Sequence, residues 1–239
     1  MKKDNYDKIH EDYEKTNEKP DKKYSMLPTI LNLAEPLKNK IVIDIGCGDG
    51  FFTFPLAKKA KFVYGIDNSI EQINKAKKLT KDNIKFILGD IFDVIYPKSD
   101  LICIPFILDM VETEKLFDLF SKFYSSLESC GRIIGLIDDP KSLVSDNRKY
   151  GVIKTIKADK LLEGSPLIID LFNENSHIIT LNVIYHKKET IENALIKAGF
   201  KDIKWHKPII SKEGIDKFRN GFWDDYLNNC DVAYFSAIK

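Results

Sequence analysis

The run Asp44-Ile45-Gly46-Cys47-Gly48-Asp49-Gly50 carries the end of the apolar stretch IVIDI (41–45) into a glycine-rich turn. It constrains this chain more than any other feature. A buried strand that ends in a glycine-rich turn and leads into a helix is the opening of an open α/β sheet, and such sheets bind ligands at the carboxyl ends of their strands. Gly46 and Gly48 allow backbone geometries closed to other residues and let a ligand approach the main chain. The spacing is GxGxG. The third glycine of a dinucleotide fingerprint is replaced by Phe51, which argues against a bound pyrophosphate, and no Gly-Lys-Ser/Thr follows as a phosphate loop requires.

Further runs fit the same plan. KFVYGID (61–67), IKFILGD (84–90), DLICIPFI (100–107) and RIIGLI (132–137) read as strands. Between them lie a helix capped by Ser69 and Gln72, with Ile70, Ile73, Ala76 and Leu79 on one face, and another marked by Leu116, Phe120, Phe123 and Leu127, with Gly131 expected as its left-handed cap. Five strands joined by helices imply right-handed crossovers and a mostly parallel, doubly wound sheet. Residues 140–188 break the rhythm: YGVIKTI, PLIIDLF and HIITLNVIYH lack intervening helices and read as a small antiparallel insert. A helix over 190–200 and strands over 201–210 and 231–239 complete the pattern, with a long loop between those strands. Before the sheet, Tyr6, Ile9, His10 and Tyr13 recur at helical spacing, and a second helix starts at Leu27-Pro28. The chain is therefore read as one domain: a helical cap (1–38), a core (39–139), a β insert on the substrate side (140–188) and a closing helix with two strands (189–239).

Asp67 ends the second strand, where a charged acceptor can hold both hydroxyls of a ribose, worth roughly 1.5–3 kcal/mol. Asp90 ends the third, where it can accept from an adenine amino group while Ile91 packs on the ring. These residues resemble the class I S-adenosylmethionine (SAM)-dependent methyltransferases. The resemblance rests on Asp44–Gly50, Asp67, Gly89–Ile91, the fourth strand and LESCGRIIGLI, over about residues 38–138. It implies a Rossmann-like seven-stranded sheet with its last strand antiparallel, SAM as cofactor and S-adenosylhomocysteine as product. It also implies Asp44 near the methionine amine and a cofactor site formed by Tyr13, Asp44, Gly46, Cys47, Gly48, Gly50, Phe51, Asp67, Asn68, Gln72, Asp90, Ile91 and Ile104.

Methyl transfer from a sulfonium is an in-line displacement. The protein mostly holds nucleophile and methyl in near-attack geometry, which supplies up to about 7–11 kcal/mol. A base is needed only where the nucleophile arrives protonated. Phe106, Asp109 and Met110 follow the fourth strand, and Asp109, the one ionisable group there, is the candidate base or polar orienter. Tyr6 joins Phe106 and Met110 as a candidate acceptor contact. A second, narrower resemblance lies in Lys149-Tyr150-Gly151-Val152, in Ala198-Gly199-Phe200 with Trp205 and Lys207-Pro208, and in Gly221-Phe222-Trp223-Asp224 with Asn228-Asn229-Cys230. These look like toxoflavin synthase-type N-methyltransferases, which methylate a planar azapteridine. That resemblance would put Tyr150, Phe222 and Trp223 around a flat acceptor. It departs after the fourth strand, where Phe106, Asp109 and Met110 replace a tryptophan, an asparagine and a tyrosine.

Composition narrows the alternatives. With 37 Lys+Arg against 36 Asp+Glu the formal charge is +1, which gives no general attraction for a phosphate backbone. Cys103-Ile104-Pro105-Phe106 also lacks the Asn/Asp-Pro-Pro-aromatic signature of amino-group base methylation. Cys47, Cys103, Cys130 and Cys230 stand far apart, with no zinc spacing, and read as small buried hydrophobes in a reducing compartment. The charged N-terminal segment lacks the apolar core of a secretory signal. The expectation is a cytoplasmic enzyme, monomeric or homodimeric, that methylates N or O of a small planar acceptor, without metal, nucleic acid or membrane. A nucleic-acid or protein methyltransferase, or a SAM-binding protein without catalysis, stays open as an alternative.

Overall fold

A computed structural model describes residues 6–79, 81–173 and 176–239. Two helices precede the sheet, α1 (Tyr6–Lys15) and α2 (Leu27–Ala34), with a wide turn over Lys22–Met26 leading into α2. Pro28 sits in the first turn of α2, where its missing N–H costs nothing. Then follow β1 (Ile41–Ile45), α3 (Thr53–Ala57), β2 (Phe62–Asp67), α4 (Ile70–Lys77), β3 (Ile84–Leu88), β4 (Ser99–Pro105), α5 (Leu116–Ser126) and β5 (Leu127–Asp138). The insert is β6 (Val144–Asn147), β7 (Val152–Ile156), β8 (Pro166–Asn173) and β9 (Ser176–Ile184). The chain closes with α6 (Lys188–Ala198), β10 (Lys201–His206), α7 (Lys212–Lys217), α8 (Asp224–Asn228) and β11 (Val232–Ile238).

Seven strands form one sheet in the order β10-β11-β5-β4-β1-β2-β3, with β11 antiparallel to both of its neighbours. The chain runs outward from β1 through β2 to β3, then returns to β4 on the other side of β1. The carboxyl ends of β1 and β4 are therefore the switch point at which such sheets open a crevice. Alternation splits the core. Val42, Val63, Leu101 and Tyr234 pack on one face beneath α2, α3 and α4, and Ile43, Ile102, Ile133 and Phe235 on the other beneath α5 and α6. The insert is an antiparallel sheet of its own, β6-β7-β8-β9.

Three local expectations are corrected. Helix α4 stops at Lys77, and Leu79 is 65% exposed instead of facing the core. Gly131 is no left-handed cap: α5 gives way to extended chain at Leu127, and Cys130 takes the positive φ of 60°. A Cβ at Gly131 would lie 2.8 Å from the Glu128 carbonyl, so glycine serves a close backbone approach there. Cys130 is also exposed, unlike the buried Cys47 and Cys103. No helix among the described residues is long and apolar enough to cross a membrane.

Candidate functional site

The glycine turn is built by β1 and β2 together. The Gly46 and Cys47 N–H groups donate to the Ile66 carbonyl (2.8 and 3.0 Å), and the Gly48 N–H donates to Asp67 Oδ2 (2.8 Å). Gly46 and Gly48 both hold positive φ, 68° and 53°. A Cβ on Gly46 would come within 2.0 Å of the Ile107 side chain, whereas one on Gly48 would meet nothing closer than 3.9 Å. Above the turn lies a cleft of about 490 Å³, lined by Gly46, Gly48, Asp67, Asn68, Asp90 and Ile91 among others. Its size falls within the range of small-molecule sites.

Asp67 closes β2 with its other oxygen accepting from the Ser69 N–H (2.9 Å), and burial pushes its carboxyl up. Gln72 lines the cleft; its backbone N–H is capped by Ser69 Oγ (3.3 Å), and its side-chain Oε1 is buried without a hydrogen-bond partner among the described residues. Asp90 accepts from the Phe92 N–H (2.8 Å), which turns the chain back after β3. Helix α1 lies over the cleft. It is tied to α4 by Ser69 Oγ donating to Asp7 (2.6 Å) and by the Lys75–Glu14 ion pair. It brings Tyr6 and Tyr13 to the lining with their rings edge-on at 5.3 Å.

Several residues expected at the cofactor lie behind the cleft. Asp44 is fully buried, with Thr53 Oγ1 donating to Oδ2 (2.6 Å) and Oδ1 without a partner. Burial raises its pKa to about 7. Cys47 is buried against the core, and Gly50 faces the Phe54 ring, 2.4 Å from a hypothetical Cβ. Phe51 packs edge-on against Phe52 at 5.0 Å. Ile104 points into the core beneath α5 because β4 alternates, and its neighbours Pro105 and Phe106 line the cleft instead.

Phe106 takes a left-handed φ of 59°, an uncommon conformation for an aromatic residue, and holds the mouth of the site after β4. Asp109 and Met110 follow in a tight turn, Leu108–Met110. Asp109 is 1% exposed; Oδ2 accepts from the Asp138 N–H (3.2 Å), while Oδ1 has no hydrogen-bond partner among the described residues. Burial, then the nearby Asp138 carboxylate, holds its pKa well above the usual range. Behind these residues a smaller cavity of about 50 Å³ adjoins the cleft, sharing Tyr6, Tyr13, Phe106, Asp109 and Met110 with it. Val152, Ile169, Leu171, Leu181 and Val183 of the insert sheet form its apolar wall.

The charged wall of this inner cavity was missed in the sequence. Lys154 bridges Asp138 (2.7 Å) and Asp231 (3.1 Å), each almost fully buried, and donates to the Asp231 carbonyl (2.7 Å). Desolvation alone would lower the Lys154 pKa; the two carboxylates overcome it and hold the ammonium charged. Lys19 pairs with Asp21 at 3.4 Å, and Lys22 lies alongside. One signal was available: Val152, Lys154 and Ile156 share a face of β7, so a lysine sits where the alternation demands an apolar residue.

Tyr150, Phe222 and Trp223 line neither cavity. Tyr150 and Trp223 stack at 5.6 Å within a cluster that includes Tyr24 and Tyr226. Their polar atoms are used internally. Tyr150 Oη donates to the Phe222 carbonyl (2.8 Å) and accepts from the Tyr226 N–H (3.0 Å), and Trp223 Nε1 donates to the Gly214 carbonyl (2.9 Å). These rings anchor the C-terminal loop to the turn ahead of α2. The expectation that they surround a flat acceptor is corrected: Tyr150 and Trp223 are buried against each other, and the half-buried Phe222 stacks on Phe218 at 4.2 Å, away from both cavities.

The sheet order, the glycine turn at the switch point and the acids at the strand ends define a class I methyltransferase. A model of the methyltransferase domain family matches residues 36–195, and the chain belongs to that family, with SAM as its cofactor. A probable cobalt-precorrin-6B C(15)-methyltransferase (decarboxylating) of Methanococcus maripaludis is 29% identical over 155 residues, which is 62% of this chain and 70% of that protein. A SAM-dependent methyltransferase from Mesorhizobium loti superposes with a TM-score of 0.65 at 16% identity, covering 94% of this chain and 100% of its own. A second from Listeria monocytogenes gives 0.64 at 21% identity, over 89% and 95%.

Proposed function

We propose that the cleft holds SAM and that the inner cavity admits the reacting end of a small acceptor, methylated on N or O. The observation that carries this reading is the shared boundary: Phe106, Asp109 and Met110 line both spaces, so an atom in one can face an atom in the other. The residues fit the cofactor by their chemistry. Gly48 leaves open space beside the turn, Asp67 and Asp90 offer carboxylates at the strand ends, and Gln72 has an unused buried oxygen. Asp67 would hold ribose hydroxyls, and Asp90 and Ile91 the adenine, while Asp44 supports the turn from behind through Thr53. When bound, the cofactor supplies an electrophilic methyl group.

The protein's own contribution is positioning and one proton. Phe106, Tyr6 and Tyr13 close the boundary and exclude water. Asp109 Oδ1 orients the nucleophile and, once ionised, takes its proton; burial and the nearby Asp138 carboxylate hold its pKa above the ordinary carboxyl range. The inner space holds only a few atoms, between the apolar side chains of the insert sheet and the charged wall of Lys19, Asp21, Lys22, Asp138 and Lys154, which suits the polar reacting end of a small acceptor. An azapteridine-type ring remains a candidate through Phe106, Tyr6 and Tyr13 in place of Tyr150, Phe222 and Trp223.

Calorimetric titration with SAM, S-adenosylhomocysteine and NADH in parallel tests the cofactor half of this reading. Micromolar binding of both adenosyl ligands and none of NADH is expected. A screen of flat amines, phenols and azapteridines, read by release of S-adenosylhomocysteine, tests the acceptor half. Turnover only with substrates too large for the inner cavity would sink it.

A further inference from the structure

Lys22 is buried, 6% exposed, and lines the inner cavity. Its ammonium donates to Thr16 Oγ1 (3.2 Å) and lies 4.6 Å from the centre of the Tyr13 ring and 4.9 Å from that of Phe51. Unlike Lys154, it has no carboxylate at ion-pair distance among the described residues. Asp21 gives its side chain to the Lys19 ammonium and to the Lys22 backbone N–H (2.6 Å). Asp49 accepts from Asn17 Nδ2 (2.8 Å) and acts on Lys22 only from farther away. Burial lowers the Lys22 pKa to about 8. A buried cation held by two ring faces and one hydroxyl is costly unless an anion completes its shell. Its two rings also mark where it stands. Tyr13 belongs to both spaces, and Phe51 directly follows the glycine turn.

We infer that Lys22 is the counter-ion of a carboxylate that a ligand carries to the junction of cleft and inner cavity. Two sources offer that group: the amino-acid end of the cofactor, or the acceptor itself. The assignment is independent of the role of Asp109.

Binding measurements separate the sources without turnover. S-adenosylhomocysteine is compared with its decarboxylated analogue, which keeps the amine and loses only the carboxylate. A cofactor source gives the wild-type protein at least tenfold tighter binding of S-adenosylhomocysteine than of the analogue. Lys22→Met then removes that preference without changing the analogue's Kd, and Lys22→Arg restores part of it. An acceptor source gives no preference in this pair. Protein loaded with S-adenosylhomocysteine then binds benzoate in preference to benzamide, and Lys22→Met loses that discrimination. Absence of carboxylate preference in both pairs, in the wild-type protein alone, overturns the assignment whether or not the variant folds. A preference that survives Lys22→Met with an unchanged melting temperature overturns it equally.

Discussion

The cleft above the glycine turn and the inner cavity meet at Phe106 and Asp109, yet they are made by opposite means. The cleft is made largely by backbone: a turn of Gly46 and Gly48, N–H groups aimed at Asp67, and strand ends that the sheet order brings together. The inner cavity is made by side chains from distant stretches of chain. Asp21, Asp109, Asp138 and Lys154 converge there, with Asp231 behind Lys154. A backbone-built site follows from the fold and serves every member of the class, whereas a side-chain-built one can differ from protein to protein at little cost to the sheet.

This contrast predicts that the two regions fail separately. The largest effect is expected from Asp109→Asn, which should lower the rate of methyl transfer by about 10²–10⁴-fold while S-adenosylhomocysteine binds as before. Steady-state rates beside a titration would check this, and equal losses in both would merge the two regions. In the wild-type protein the rate should climb with pH, because the raised Asp109 pKa delays formation of the ionised base.

Lys154→Met strands Asp138 and Asp231 side by side in the interior and should cost about 3–5 kcal/mol in urea unfolding, with cofactor affinity little changed. Unaltered stability would mean that the triad contributes no net energy.

Asp67→Ala tests the other region. A loss of about 1.5–3 kcal/mol, or roughly 10–100-fold in S-adenosylhomocysteine affinity, is expected with the fold retained. An unchanged Kd would remove the ribose from the end of β2.

The smallest effect concerns pH and Asp44. Its folded pKa of about 7 lies above the ordinary 3.8, so its contribution to stability is full below the lower value and is lost as pH rises through the upper. The free protein should therefore melt at lower temperature at pH 8 than at pH 5. Asp44→Asn should flatten this profile, and a slope persisting in that variant would assign it to another group.

The toxoflavin synthase-type resemblance shows how local similarity can mislead about place. Gly221-Phe222-Trp223-Asp224 and Tyr150 do assemble, but as packing: Tyr150 is wholly buried and its hydroxyl spent on backbone groups. Aromatic residues carry the same sequence signature whether they stack on a ligand or on one another. Ile104 erred through strand parity, since one step along β4 exchanges the cleft for the core. Gly50 stands outside the cleft lining, where the absence of a Cβ leaves room for the neighbouring Phe54 ring.

By itself the sequence determined the alternation of strands and helices, the glycine turn, the acids at the ends of β2 and β3 and the antiparallel insert. Each of these is local: periodicity, a positive φ or a residue at a strand end is legible within a few positions. Tertiary structure alone decided that Lys19, Asp21, Lys22, Asp138 and Lys154 would form the wall of one small cavity. The Lys19–Lys22 segment, Asp138 and Lys154 come from separate stretches of the chain, and the burial that makes their charges matter exists only once the insert sheet has closed over the end of β5.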